Sequence, residues 1–265
     1  MTSDPQEVPS GTPAKVQPGA QTGVQAAAQG AAQGAATRPL RFFVGITGGS
    51  GHAYVERLIV ELLHAGCEVD LSITDAGCKV LRHERGIEAG LKGERLGDSL
   101  RGWLVPLGTT EAELARVRVF PSDAIEAPAA SGTSLTGGVI VAPCSMGTLA
   151  RVTAGFSSNL VERAADVALK EGRRLVLMPR ETPLSEIHLE NMLRAVRLGA
   201  ILLPCMPGFY HGPKTIDDLV AHVVGKVLDR LGVEQSVGAR WQGFAEPAGD
   251  HGIEPLGRDE GTVTD

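Results

Sequence analysis

LVLMPRETPLSEIHLENML, residues 175–193, holds a strand, a loop and the start of a helix in one run. Leu175 to Met178 is a short apolar run of the kind that forms a strand covered on both faces. It stops at Pro179-Arg180-Glu181-Thr182-Pro183, where two prolines restrict the backbone and display one cation and one carboxylate. Leu184, Ile187, Met192 and Val196 then recur at helical spacing. In an open α/β sheet a loop so placed lies at the carboxyl edge of the strands, where ligands bind. Taken alone, Arg180 and Glu181 read more readily as a loop salt bridge. The other strand ends carry the case further.

Working outward, strands are expected at Arg41–Ile46, Glu68–Thr74, Arg116–Phe120, Gly138–Ala142, Arg174–Met178 and Ala200–Leu203. Helices are expected at His52–Ala65, Asp75–Arg82, Met146–Gly155, Ser157–Lys170, Leu184–Leu198 and Ile216–Leu231. Short β-branched runs separated by helices of this length make βαβ units, hence a mostly parallel sheet in one doubly wound α/β domain over residues 39–243. The interval from Ile87 to Ser134 has turn signals and weak periodicity that allow several assignments. Residues 1–38, with AAAQGAAQGAA at 26–36, and residues 244–265 have too few large apolar side chains to offset the entropy of ordering them; both read as disordered tails.

Composition narrows the function. Aromatics are 4% of the 265 residues, too few for a stacking platform, and the net charge of −6 excludes a broad basic surface for nucleic acid. Cys67, Cys78, Cys144 and Cys205 stand far apart in or beside apolar runs, with no metal-ligand spacing, and read as reduced core residues. No apolar run has the length to cross a bilayer, and the N-terminus lacks a basic start followed by an apolar region. No metal and no membrane are expected, and the cytoplasm is the expected compartment.

The strand ends carry the chemistry. Gly48-Gly49-Ser50-Gly51 leads into a helix whose first N–H groups can meet an anion, with Ser50 adding a hydroxyl. Its order departs from GxGxxG, so a mononucleotide phosphate fits better than a dinucleotide. Thr74 is a donor or a helix cap. Ser145 and Thr148 flank a helix start after Pro143-Cys144, where Cys144 has no histidine placed to activate it. Arg163 and Lys170 lie two turns apart on one helix face, roughly 10 Å along the axis, among Glu162 and Asp166 at ion-pair spacing. Tyr210 sits in the constrained loop Pro204–Lys214, with His211 read as an exposed turn residue, and Lys226 falls near the middle of the last helix.

GITGGSG (45–51), APCSMGTLA (142–150), NLVERAADVALKEGRRLVLMPRETPL (159–184), HLENML (188–193) and PGFYHGPKTIDDLV (207–220) together resemble the flavin prenyltransferase family, the UbiX-like proteins. The resemblance spans roughly residues 40–243. It implies a three-layer αβα, flavodoxin-like Rossmann fold and a homododecamer with active sites between subunits. It also implies transfer of a dimethylallyl group from dimethylallyl monophosphate to N5 and C6 of reduced FMN, giving prenylated FMN for UbiD-like decarboxylases, without a metal. On this resemblance Gly48, Gly49, Ser50, Thr74, Ser145, Met146, Thr148 and Arg180 match FMN-binding positions. Ser131, Arg163, Lys170, Glu181, Tyr210 and Lys226 match positions for dimethylallyl phosphate, and Glu181, Ser50 and Lys170 would be catalytic. Without metal, the cations supply charge to the departing phosphate, and Glu181 moves protons.

The chain departs from the family at GGSG, where GASG is common, at Lys226, where arginine is common, and at Ile125, where some members have tryptophan. Two other readings stand beside this one. A flavin-dependent cysteine decarboxylase would need a histidine following the first helical region, for which His52 is a loose candidate, and an asparagine-containing substrate loop. A non-enzymatic FMN carrier would need the flavin residues alone.

Overall fold

Strand β1 (Arg41–Ile46) is buried from Phe42 to Ile46 and lies at the middle of a six-stranded sheet. The computed structural model describes residues 39–134 and 136–238; the expected tails, and the expected end of the domain at 239–243, lie outside the described residues. β2 (Glu68–Ile73) and β3 (Val117–Val119) extend the sheet on one side of β1, and β4 (Gly138–Cys144), β5 (Leu175–Pro179) and β6 (Ile201–Leu202) on the other. The order is β3-β2-β1-β4-β5-β6, and every pairing is parallel. Starting in the centre and winding both ways puts the topological switch point between β1 and β4.

Alternation along the strands builds two cores. Phe42, Val44, Ile46, Val176 and Met178 face one side, packed by helices α1 (His52–His64), α2 (Asp75–Arg85), α3 (Leu96–Leu104) and the last helix, α8 (Ile216–Leu231). Phe43, Val139, Val141, Leu175 and Leu177 face the other, under α5 (Met146–Thr153), α6 (Leu160–Lys170) and α7 (Glu186–Arg197). A short α4 (Glu111–Leu114) leads into β3. All six expected strands and all six expected helices are present, with ends shifted by a few residues.

The weakly periodic interval contains α3, which buries Leu96, Leu100, Trp103 and Leu104. Its helical pattern is diluted by Gly97 and Gly102, which weaken a helix in isolation; core burial supplies the missing stabilisation. Only part of the apolar face expected to bury α7 meets the core, with Met192 packed beside Ala195. Ala195 is its buried residue, whereas Ile187 and Val196 are 63% and 52% exposed. Among the described residues no helix is long and apolar enough to cross a membrane.

Gly45 marks the closest approach of helix and sheet: a Cβ there would stand 2.6 Å from Val161 Cγ1 of α6. Valine cannot swing away, because its branched Cβ is held in one rotamer. Gly45→Ala is expected to cost about 1–3 kcal/mol by overpacking. Val161→Ala in the same chain should cost less than its effect alone adds, because it removes the clash. Strict additivity of the two in denaturant melts would show that this contact does not limit the packing.

Candidate active site at the carboxyl edge of the sheet

Thr47, buried at the exit of β1, donates its hydroxyl to the Pro143 carbonyl at 2.7 Å and accepts the Ser145 N–H at 2.8 Å. It thereby ties the β1 and β4 loops together at the switch point. Arg180, at the exit of β5, adds a third loop by donating Nε–H to the Ser50 carbonyl at 3.2 Å. The glycines permit the closeness: a Cβ on Gly48 would lie 2.8 Å from that of Ala76, and one on Gly49 would lie 3.1 Å from Pro143 Cβ.

Beside these loops is a cavity of about 360 Å³. Gly48, Thr74, Ala76, Ser145 and Thr148 line it, so loops from β1, β2 and β4 contribute, and Arg151 and Lys92 stand at its wall. Thr74 and Ser145 are both helix caps: Thr74 Oγ1 accepts from Gly77 N–H at 3.2 Å, and Ser145 Oγ accepts from Thr148 N–H at 3.3 Å. Ser145 Oγ also donates to Thr148 Oγ1 at 3.0 Å, and Arg151 donates to that same oxygen at 3.3 Å. Arg151 in turn pairs with Glu162, whose side chain is 1% exposed. Met146 follows directly as the first residue of α5.

The N-terminus of α1 is already covered. The Glu84 carboxylate of α2 accepts from Gly51 N–H at 3.2 Å and from His52 N–H at 3.0 Å, and His52 Nδ1 lies 3.1 Å from it. The anion expected at the glycine loop is therefore a side chain of this protein, ten positions beyond Thr74. Burial pushes the Glu84 carboxyl up, but hydrogen bonds from the Ser50 side chain, His52 and Gly51 outweigh it and hold it at about 2. His52 is wholly buried, and burial lowers its pKa, so it is neutral at pH 7 and held against Glu84 rather than presented to a ligand. The α6 end is covered too, by Ser158 N–H on Glu162 at 3.0 Å and Leu160 N–H on the Ser122 carbonyl at 2.7 Å. The first turns of α2 and α5, facing the cavity, are left to receive an anion.

The remaining predicted residues fall into two further groups. Arg163 and Lys170 share a face of α6 beside the Ser131–Gly132 turn. Arg163 Nε–H meets the Ala130 carbonyl at 3.4 Å, and a Cβ on Gly132 would lie 3.2 Å from Lys170 Nζ. The ion pairs expected among Glu162, Asp166 and Lys170 do not form as spaced. Glu162 is buried on Arg151, Arg163 pairs with Asp166 at 3.7 Å, and Lys170 pairs with Glu171. Tyr210 and Lys226 flank His222: Tyr210 Oη lies 3.5 Å from its Nε2, and Lys226 follows one turn later on α8. His211 is not an exposed turn residue. Its ring stacks on His222 with centroids 4.7 Å apart and planes 9° apart, and both its nitrogens are buried.

Glu181 is exposed next to Arg180, its Oε1 accepting the Thr182 N–H at 3.0 Å. Ile125 is exposed. Cys144 is fully buried, which pushes its thiol up to about 12, as suits a core residue and not a nucleophile. Among the described residues no three His, Cys, Asp or Glu side chains gather as metal ligands. No hydrogen bond among the described residues joins the Ser131, Arg163 and Lys170 group to Ser50 or Arg180. Sequence reasoning missed Thr47, Glu84 and Arg151. Thr47 and Glu84 act on partners far along the chain, and Arg151 acts on a buried carboxylate of the next helix, so no local spacing announces them.

A family model described as Flavoprotein matches residues 32–228. The flavin prenyltransferase UbiX of Halalkalibacterium halodurans is 47% identical over 200 residues, covering 76% of this chain and 92% of the relative. The crystal structure of AnUbiX (PadA1) in complex with FMN and dimethylallyl pyrophosphate is similar with a TM-score of 0.67 and 35% identity, over 78% of this chain and 100% of that one. A dodecameric FMN-dependent UbiX-like decarboxylase from Escherichia coli O157:H7 gives a TM-score of 0.64 and 38% identity, over 77% and 100%.

The Glu84 carboxyl lies below its ordinary value of 4.5, so its contribution to stability is present above that pH and fades as pH falls toward 2. The melting-temperature gap between wild type and Glu84→Gln should be full at pH 7 and should close across that acid window. A gap of the same size at pH 3 and pH 7 would show that the carboxylate charge is not what holds the α1 end.

Proposed function

This chain belongs to the flavin prenyltransferase family, and from that premise we propose that it joins the dimethylallyl group of dimethylallyl monophosphate to N5 and C6 of reduced FMN. The allylic C–O bond breaks and inorganic phosphate leaves. A C–N bond forms at N5 with loss of its proton. The C=C bond of the dimethylallyl group then takes up a proton at one carbon while the other forms the C–C bond to C6, which loses its proton, so that one proton is released overall. The product, prenylated FMN, would serve a UbiD-like decarboxylase. The observation that carries the reading is the Arg180–Ser50 hydrogen bond, in which the guanidinium reaches the Ser50 carbonyl from a loop 130 residues away and sets a cation beside the glycine loop.

The residues fit the flavin. Gly48 and Gly49 let the β1 loop pack closely on Ala76 and Pro143, and Thr74, Ser145 and Thr148 offer hydroxyls beside two helix N-termini, suited to a phosphate arm. Gly49, Ser50, Met146 and Arg180 would hold the ring system. When bound, the reduced flavin supplies the nucleophile, and the protein aligns the two reactants.

The chain's own groups handle charge and protons. Ser50 gives its hydrogen to Glu84, which is ionised throughout the neutral range, so Ser50 Oγ keeps its lone pairs for a proton donor on the ligand. Arg163, Lys170 and Lys226 place positive charge, and Tyr210 and Ser131 place hydroxyls, where the leaving phosphate gathers negative charge. Glu181, exposed and next to Arg180, exchanges protons with the flavin or the leaving group. His52, wholly buried with its Nδ1 against Glu84, gives the cysteine-decarboxylase reading no exposed base.

Arg163 and Lys170 stand on an exposed face of α6, and Ile187, Leu189, Leu193 and Val196 leave α7 an apolar surface of the kind that subunit interfaces cover. We take the assembly to be a homododecamer, like the dodecameric relative, and the exposed α6 cations to complete a neighbour's site.

Anaerobic incubation with reduced FMN and dimethylallyl monophosphate, followed by mass spectrometry of the flavin, should show the gain of one prenyl unit. Bound flavin of unchanged mass would favour a carrier. Glu181→Gln should keep FMN bound and slow prenylation by about 10²- to 10⁴-fold. Turnover equal to wild type would remove Glu181 from the chemistry.

A further inference from the structure

Among the described residues Lys92 alone has a positive φ without being glycine, at 55° with ψ 13°. A side chain crowds the backbone in that region, so the residue must be held there. It is held from both sides: Asp75 Oδ1 accepts its N–H at 2.8 Å, and its carbonyl accepts the Ser122 N–H at 2.7 Å. Those bonds tie the turn before α3 to the exits of β2 and β3. They set the lysine at the wall of the cavity that Thr74, Ser145 and Thr148 also line. Strain over-determined in this way is a reason to ask what the side chain does.

Its ammonium lies 2.8 Å from Asp123 Oδ2, with the two side chains 50% and 58% exposed. An exposed pair of this kind is weak and exchanges with competing ions. Arg151, the other cation at the wall, is committed differently, to the buried Glu162 carboxylate and to Thr148. Releasing it would strand a buried charge. Thr74, Ser145 and Thr148 bring hydroxyls without charge. The exchangeable positive charge at the cavity is therefore that of Lys92.

We infer that Lys92 recognises the phosphate of the flavin mononucleotide, moving from Asp123 onto that phosphate and so making the cavity select a phosphorylated flavin over a bare one. This rests on the flavin reading given above. A phosphate dianion carries more charge and more acceptor oxygens than the single carboxylate it would replace, so the exchange favours the ligand. Asp75 and Asp123, which share the wall, oppose the incoming anion. Asp75 is occupied by the Lys92 N–H, and Asp123 is the competitor whose charge should matter.

Quenching of flavin fluorescence at low ionic strength, titrated separately with FMN and with riboflavin, tests this. Wild type should prefer FMN. Lys92→Met should lose about tenfold in FMN affinity, with riboflavin affinity unchanged. Asp123→Asn should strengthen FMN binding and leave riboflavin alone. Lys92→Gly removes the cation while relaxing the backbone, so it guards against misfolding and should show the same selective loss. An FMN-to-riboflavin ratio in both lysine variants equal to that of wild type would overturn the inference. Failure of wild type to bind either flavin would overturn the flavin reading, and this inference with it.

Discussion

The hydrogen bonds that join the β1, β4 and β5 loops at the switch point are the constraint on which the site depends. Thr47 holds the Pro143 carbonyl and the Ser145 N–H, and Arg180 holds the Ser50 carbonyl. A parallel sheet ordered β3-β2-β1-β4-β5-β6 ends these strands side by side, although their loops are far apart in the chain. The apolar strands fix where the loops emerge, and the polar stitches fix how closely they approach. Without Thr47, the serine and threonine of the β4 loop would lose their register with the glycines of the β1 loop.

Electrostatics then decides which helix end takes a ligand. Two of the ends at this edge have N–H groups held by carboxylates of the chain's own, Glu84 at α1 and Glu162 near the start of α6. Those carboxylates satisfy N–H groups that a phosphate would otherwise compete for, whereas Asp75 in the first turn of α2 accepts the Lys92 N–H instead. The ends of α2 and α5 keep their first-turn donors facing the cavity, with capping hydroxyls from Thr74 and Ser145. The same carboxylate that closes α1 also accepts the Ser50 hydroxyl, so one residue both covers the helix end and orients that side chain.

The sheet was legible because runs such as FFVGI and LVLMP are apolar throughout and can only be buried on both faces. α3 was not, because Gly97 and Gly102 interrupt a pattern that only tertiary burial completes. The strand-end residues Thr74, Ser145, Thr148 and Arg180 were legible from their place after apolar runs. Glu84 was not: it sits in a polar stretch of α2 and acts on backbone N–H groups, which leave no trace in side-chain identity. His211 was misread as exposed because its partner, His222, belongs to another element. The apolar stripe of α7 was read correctly as a helix face but not as one left largely uncovered by its own chain.

That uncovered face and the outward position of Arg163 and Lys170 bear on the central claim, that one protomer holds the flavin while cations from another receive the leaving phosphate. Subunit complementation tests it most directly. Arg163→Ala and Arg180→Ala chains, each expected to be inactive alone, would be dissociated, mixed and reassembled, and the rate of prenylated-flavin formation measured. Recovery of activity in the mixture is the predicted result, because some interfaces would then combine two intact halves. Mixed assemblies as inactive as either parent would contradict a site shared between copies.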